Sequence, residues 1–259
     1  MPDPVSSLLA ALREGDDARG WAWFLDLDGT LIDLAPRPGD VVCPPGLTAT
    51  LAALDAGAAG ALAIVTGRSA DFAAALLGTR AFTIAGLHGA EIRLGERLGG
   101  GQPTAAPARP PAPAADHAAA AARAMPGVIF EDKGAAFALH FRLAPRMEAR
   151  VAQAMDEALA LAGAGYRLRP GKAVVELCPA GADKGAALRR LMRHPAFRAR
   201  RPFAAGDDLT DEAMFAAADD LGGLSLRIGA GNGETRARHA LPSPAAMREL
   251  LSRMVQPRA

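Results

Sequence analysis

Trp21-Ala22-Trp23-Phe24-Leu25-Asp26-Leu27-Asp28-Gly29-Thr30 sets five apolar residues directly before two carboxylates spaced one residue apart. An apolar run without alternation reads as a strand buried on both faces, as at the centre of a parallel sheet. Gly29 suits a tight backbone turn. Carboxylates at i and i+2 after such a strand can converge on one point, outside the carboxyl ends of the strands, where open α/β sheets hold their ligands. A solvated acidic turn is the plain alternative; the abrupt junction with the apolar run argues against it.

Outward from this stretch, Leu47, Leu51 and Leu54 recur at helical spacing after Pro44 and Pro45, and Gly57 and Gly60 close that segment. Residues 61–65 form a second buried strand, Thr66-Gly67-Arg68 follows it, and a helix begins near Ser69. Residues 82–85 are a third strand. Strands separated by helix-length segments imply βαβ units and a parallel sheet. The pattern then breaks. Residues 99–115, rich in Gly, Pro and Ala, read as a flexible linker. Beyond it, Phe137, Leu139 and Phe141 alternate with Ala138, His140 and Arg142, the period of a half-buried strand. Met147, Val151, Met155 and Leu159 mark one helix face, and residues 166–177 form a hairpin turning at Pro170 and Gly171. After Pro179 the βα pattern returns, with helices over 183–194 and 210–217 and strands over 202–206 and 224–228. The expected domains are therefore a core (1–104 and 180–259) built from both ends of the chain, and an inserted α+β module (105–179).

Composition narrows the function classes. The 259 residues carry 29 Lys and Arg against 28 Asp and Glu, a net charge of +1. That balance offers no basic footprint for nucleic acid. Half the residues are hydrophobic but only 5% aromatic, so the core is largely Ala, Val and Leu. Cys43 and Cys178 are too few for a disulfide framework and lack metal-ligand spacing. The N-terminus lacks a signal-peptide pattern, and the longest apolar stretch, near 60–65, is far short of a bilayer span. A cytoplasmic monomer without nucleic-acid or membrane partners is expected.

A second acidic cluster, Asp207, Asp208 and Asp211, also follows an apolar strand. Carboxylates from two strand ends, with water and phosphate, are the usual surroundings of Mg²⁺, and a carboxylate can also accept a phosphoryl group as nucleophile. Helix capping is the competing account for Asp208 or Asp211, and a poor one for Asp207. The Thr66 hydroxyl and neighbouring amides at a helix start can cradle an anion, although Thr is also a common cap. Lys184, at another helix start, can neutralise a phosphate.

The order DLDGT (26–30), IVTGR (64–68), Lys184 and GDDLTDE (206–212) resembles the haloacid dehalogenase superfamily of phosphatases. The resemblance implies a Rossmann-like α/β core with an inserted cap domain that closes over substrate. It implies Asp26 as nucleophile, Asp28 as general acid/base, and Thr66 and Lys184 as further catalytic residues. Mg²⁺ would be held by Asp26, the Asp28 carbonyl and Asp207, with Asp208 and Asp211 supporting or joining the site.

Further segments resemble the trehalose-6-phosphate phosphatases: GLHGAE (86–91), EDKG (131–134), LHFR (139–142), GKAVVE (171–176), GADKG (181–185) and the glycine-rich 229–235. The match runs from about Trp21 to Pro244; Thr66 stands where many relatives have Ser, which keeps the hydroxyl. This resemblance implies hydrolysis of a small-molecule sugar phosphate, trehalose 6-phosphate, to trehalose and phosphate, the last step of trehalose synthesis. Gly67, Arg68, His88, Glu91, Lys133, Arg142, Lys172 and Glu176 are the implied substrate contacts. A disaccharide needs polar groups of fixed geometry, which these supply; solvated sheet-face charge is the alternative for each singly, and His140 and Arg142 can equally face water. The rivals are a phosphatase of sucrose phosphate or mannosyl-phosphoglycerate, and a non-catalytic sugar-phosphate-binding domain, which would have lost Asp26, Asp28, Lys184 or Asp207. A mutase has no evident provision for a returned phosphoryl group.

Overall fold

The computed structural model describes residues 3–13, 18–101, 108–229 and 234–256. Two compact units divide the chain: Met1–Leu34, Val42–Thr104 and Asp183–Ala259 form the first, Ala35–Val41 and Ala105–Ala182 the second.

The first unit is an α/β layer structure built on β1 (Trp21–Leu25), all five of whose residues are buried. β2 (Leu62–Val65) and β9 (Arg201–Gly206) pair with it in parallel on either side. The sheet extends through β3 (Thr83–Gly86) to the antiparallel edge strand β4 (Glu91–Arg93). On the other side it extends through β10 (Leu224–Ile228) to β11 (His239–Leu241). The order β11-β10-β9-β1-β2-β3-β4 places β1 where the chain's path reverses direction across the sheet. Such a switch point opens a crevice at the strands' carboxyl ends. α1 (Pro4–Arg13) and α2 (Leu47–Gly57) both pack on α8 (Pro244–Val255), while α6 (Lys184–Leu191) packs on α7 (Glu212–Asp220). α3 (Ala70–Leu77) joins β2 to β3 and packs on β3.

The second unit is a four-stranded antiparallel sheet, ordered β5 (Ile129–Asp132), β6 (Phe137–His140), β8 (Val174–Pro179), β7 (Tyr166–Gly171). One sheet face packs against α4 (Ala112–Arg123) and α5 (Glu148–Ala162): Phe137, Leu139 and Leu177 meet Ala114, Ala118, Val151 and Met155 in a closed hydrophobic core. Strand alternation then puts Glu131, Ala138, His140 and Glu176 on the opposite face.

Several sequence expectations shift. The linker's tail is helical, because α4 opens at Ala112; Pro is tolerated in a first helical turn, where no amide partner is lost. Residues 102–107 of that linker and 230–233 of the glycine-rich segment lie outside the described residues. The cap hairpin turns two residues later than expected, at Lys172 and Ala173, with Pro170 inside β7. β7 is an edge strand, where Pro costs no ladder bond. A shift of two preserves which side chains share a face. Both cysteines are free, and among the described residues no helix is long and apolar enough to cross a membrane.

Candidate active site

The carboxyl ends of β1, β2 and β9 bring the two acidic clusters and Thr66 together within the first unit. Asp26 follows β1, and its amide donates to Ala205 O at 2.9 Å, pinning it to β9. Lys184, the first residue of α6, is buried and donates to Asp26 Oδ1 and Asp211 Oδ1, each at 2.7 Å. A cation in a helix's first turn opposes the helix dipole; here two carboxylates compensate it. Asp183 caps α6 by accepting from Ala186 N, which fixes the turn that carries Lys184.

Ligand oxygens of Asp26, Asp207 and Asp211 lie within 4.8 Å of one another, all three residues buried. Asp211 is committed on both oxygens: Oδ1 takes Lys184, and Oδ2 accepts the amides of Asp207 and Asp208 at 3.0 Å. Asp208 turns its side chain to Leu209 N and completes a capping box with Asp211. Capping thus accounts for Asp208, and for part of Asp211, as the sequence alternative had it. The Asp207 carboxylate lies against Gly29, whose φ is +77°; a Cβ there would sit 2.4 Å from Asp207 Oδ2. Only glycine fits both the left-handed backbone and this approach.

Three carboxylates face one ammonium in a buried space. Burial pushes the Asp26 carboxyl well above its usual range; Lys184 pulls it down, while Asp211 and Asp207 push it further up. Burial works to lower Lys184, but Asp211 and Asp26 outweigh it and hold the ammonium firmly protonated. The donor set is oxygen-only, and its three carboxylates, when ionised, would exceed the one ammonium by two charges, which fits a hard divalent cation.

Arg68 donates to both oxygens of Asp28, Nε to Oδ2 at 2.9 Å and Nη2 to Oδ1 at 2.7 Å, and stacks over Phe72 at 4.5 Å. Thr66 is buried, and its Oγ1 accepts from Arg68 N at 3.1 Å. His88 is buried beside Gly67, and Glu91 is buried with Oε1 accepting from Ala70 N. Thr30, which was not singled out in the sequence, points Oγ1 at Asp26 Oδ2 at 3.4 Å. Its place four residues after Asp26 is the signal that finds it.

In the second unit, Lys133 Nζ donates to Glu176 Oε2 at 2.6 Å and lies 3.9 Å from Glu131 Oε2, which meets His140 Nε2 at 2.7 Å. Glu131 was not among the expected contacts, and the alternation on β5 could have shown it. Arg167 and Arg169 of β7, also unmarked in the sequence, both donate to Ala182 O. Arg142 Nη2 donates to Lys172 O at 3.2 Å, at the hairpin tip.

The fold is that of haloacid dehalogenase-type hydrolases: a haloacid dehalogenase-like hydrolase from Bacteroides thetaiotaomicron superposes with a TM-score of 0.62 at 17% identity, over 89% of this chain and 98% of that one. The C-terminal domain of trehalose-6-phosphate phosphatase from C. albicans aligns with a TM-score of 0.81 at 22% identity, over 97% and 96%. The sequence pattern of the trehalose-phosphatase family matches residues 24–243, and the chain belongs to that family of phosphoric monoester hydrolases. Among its relatives, a probable trehalose-phosphate phosphatase of Sinorhizobium fredii is 45% identical over 237 residues, 91% of this chain and 88% of that one. The trehalose-6-phosphate phosphatase of Escherichia coli is 40% identical over 216 residues, 82% and 78%.

Proposed function

We propose that this protein hydrolyses trehalose 6-phosphate to trehalose and inorganic phosphate through a phosphorylated Asp26, as a cytoplasmic, Mg²⁺-dependent monomer. The observation that carries the reading is the buried Asp26 carboxylate at a sheet switch point, bonded by Lys184 and grouped with Asp207 and Asp211. Family membership and the two relatives above supply the substrate.

Asp26 attacks phosphorus with a carboxylate oxygen while the bond from phosphorus to the sugar oxygen breaks, and Asp28 gives its proton to that oxygen. Asp28 then takes a proton from water, whose oxygen attacks the aspartyl-phosphate and restores Asp26. Lys184 neutralises charge on the transferring group, the main task in this chemistry. Arg68, which holds Asp28 by both oxygens in the structure, is a cation for which an incoming phosphate competes, and its transfer to phosphate frees Asp28 to take up from solvent the proton it then gives to the sugar oxygen. Thr66 and Gly67 cradle the phosphate. Asp26 and Asp207 would hold Mg²⁺, with Asp28's carbonyl as the resemblance implies; Asp211 holds Lys184 and the Asp207 amide in place. The metal's contribution is to draw off negative charge from the phosphoryl oxygens.

Lys133, Glu176, Lys172 and Arg142 provide the donors and acceptors a disaccharide needs. The ion pair of Lys133 and Glu176 presents both kinds within one hydrogen bond's length.

The test is phosphate release from trehalose 6-phosphate, sucrose 6-phosphate and glucose 6-phosphate, with Mg²⁺ or chelator, for wild type and Asp26→Asn. Release from trehalose 6-phosphate alone, lost in chelator and in the variant, is expected. Preferred release from another ester would overturn the substrate, and metal-independent release would overturn the mechanism.

A further inference from the structure

The segment joining β3 to β4 is built unlike an ordinary hairpin. Leu87 and His88 both have left-handed backbones, with φ of 48° and 56°. For a residue bearing a Cβ this costs on the order of 1–2 kcal/mol. Such strain persists where the surroundings over-determine the conformation, and it gathers at functional sites. The bonds that over-determine it are on the main chain: Leu87 N donates to Arg68 O and His88 N to Thr66 O, both at 2.8 Å. They grip the 66–68 turn on either side of Gly67, and the His88 ring covers Gly67 so closely that a Cβ there would lie 2.6 Å from Nε2.

Glu91 completes the grip. It is 7% exposed, and its Oε1 accepts from Ala70 N, the first amide of α3. Gly86 permits that approach: a Cβ on it would fall 2.6 Å from Glu91 Oε1, 2.7 Å from Ala70 N and 3.0 Å from Arg68 O. Arg93, two residues on, is buried and donates to Ala70 O and Asp71 Oδ1. The same segment abuts the start of α6, where a Cβ on Gly89 would lie 2.9 Å from Asp183 O.

We propose that Glu91, with the strained pair Leu87 and His88, is a positioning residue that holds the 66–68 turn in register with the Asp26 carboxylate, and makes no contact with the sugar. The inference rests on the reading above that Thr66 and Gly67 cradle the transferring phosphate. A buried carboxylate aimed at a helix's first amide both satisfies that donor and complements the helix dipole. Its charge is ill placed to touch a phosphate dianion. What matters is an acceptor oxygen at the right reach, so Glu91→Gln keeps the function while Glu91→Ala and the shorter Glu91→Asp lose it.

The experiment compares wild type, Glu91→Gln, Glu91→Asp and Glu91→Ala in three assays. These are turnover of p-nitrophenyl phosphate, which has no sugar; turnover of trehalose 6-phosphate; and calorimetric binding of inorganic phosphate with Mg²⁺. Positioning predicts that Glu91→Ala lowers kcat on both esters by the same factor, on the order of 10²-fold, as small misplacements of a reacting group do. Phosphate binding weakens alongside, and Glu91→Gln stays within about threefold of wild type in every assay, with Glu91→Asp well below it. If Glu91→Ala does not fold, the ranking of Gln above Asp still decides. Normal p-nitrophenyl phosphate turnover and phosphate binding in Glu91→Ala, with KM raised for trehalose 6-phosphate alone, would overturn the proposal in favour of a sugar contact. Glu91→Asp outperforming Glu91→Gln would overturn it as well. Wild type that binds phosphate and cleaves p-nitrophenyl phosphate but not trehalose 6-phosphate would remove the substrate assignment and leave the positioning role standing.

Discussion

Lys184 sits between two buried carboxylates, and the charge balance of the site depends on it. Removing one member of a buried pair leaves the other's charge uncompensated, a loss of about 3–5 kcal/mol. Lys184→Met is therefore expected to destabilise the protein by that order in chelator at neutral pH, measured by urea unfolding, besides abolishing turnover. The pH dependence has a definite sign. Without Lys184, the Asp26 carboxyl keeps the upward push of burial and loses the cation that pulls it down, and a raised carboxyl stabilises only while protonated. The deficit against wild type is accordingly full at pH 7 and shrinks as pH falls toward the ordinary carboxylate value of about 3.9. A deficit independent of pH would mean that Lys184 matters by packing alone. Much of this site was legible residue by residue, because Asp26, Lys184 and Asp207 each stand at a strand end or helix start, where side chains face the sheet's edge. Partners were less legible. Alternation shows that Glu176 leaves the hydrophobic face, but not that Lys133 bonds to it; Glu91 looks like a free sugar ligand until folding puts Ala70 N beside it.

At the scale of elements, the ends of β1 and β9 work because glycines let carboxylates come close. Gly29 admits Asp207, and a Cβ on Gly206 would lie 2.1 Å from Asp211 Cγ. Gly29→Ala must strain its left-handed backbone, at a cost of about 1–2 kcal/mol, and push Asp207 away from Asp26. The expected result is a modest drop in melting temperature and a rise of at least about tenfold in the Mg²⁺ concentration giving half-maximal turnover. Unchanged Mg²⁺ dependence would show that Asp207 does not need its present position. The parallel sheet itself was readable because its strands are continuous apolar runs. What escaped was short or rich in alanine. β4 and β11 are three residues each, too short to show a period. α4 buries Ala114, Ala118 and Ala122 at a four-residue spacing that hydropathy scarcely distinguishes from its exposed alanines. α1 was readable in principle, since Val5, Leu8, Leu9 and Leu12 follow helical spacing.

At the scale of the whole molecule, two units each close their own hydrophobic core, and the acidic cluster belongs wholly to the first. A ligand that binds only the folded state stabilises it by mass action, by about 2.7 kcal/mol at a hundred times Kd. For a chain of this size that amounts to a rise in Tm of about 5–10 °C. Relief of like-charge repulsion among Asp26, Asp207 and Asp211 is its physical source, so Asp207→Asn should lose most of the rise. The two cores predict where the gain is felt. Hydrogen exchange with and without Mg²⁺ should slow in β1, β9 and the first turn of α6, which carry the cluster and Lys184. Exchange in β6 and β8 should stay within about twofold, since their protection comes from packing on α4 and α5, which the ion does not touch. Equal slowing in both units would mean that they open together as one cooperative body; slowing in neither, with no change in Tm, would mean that the cluster does not hold the ion.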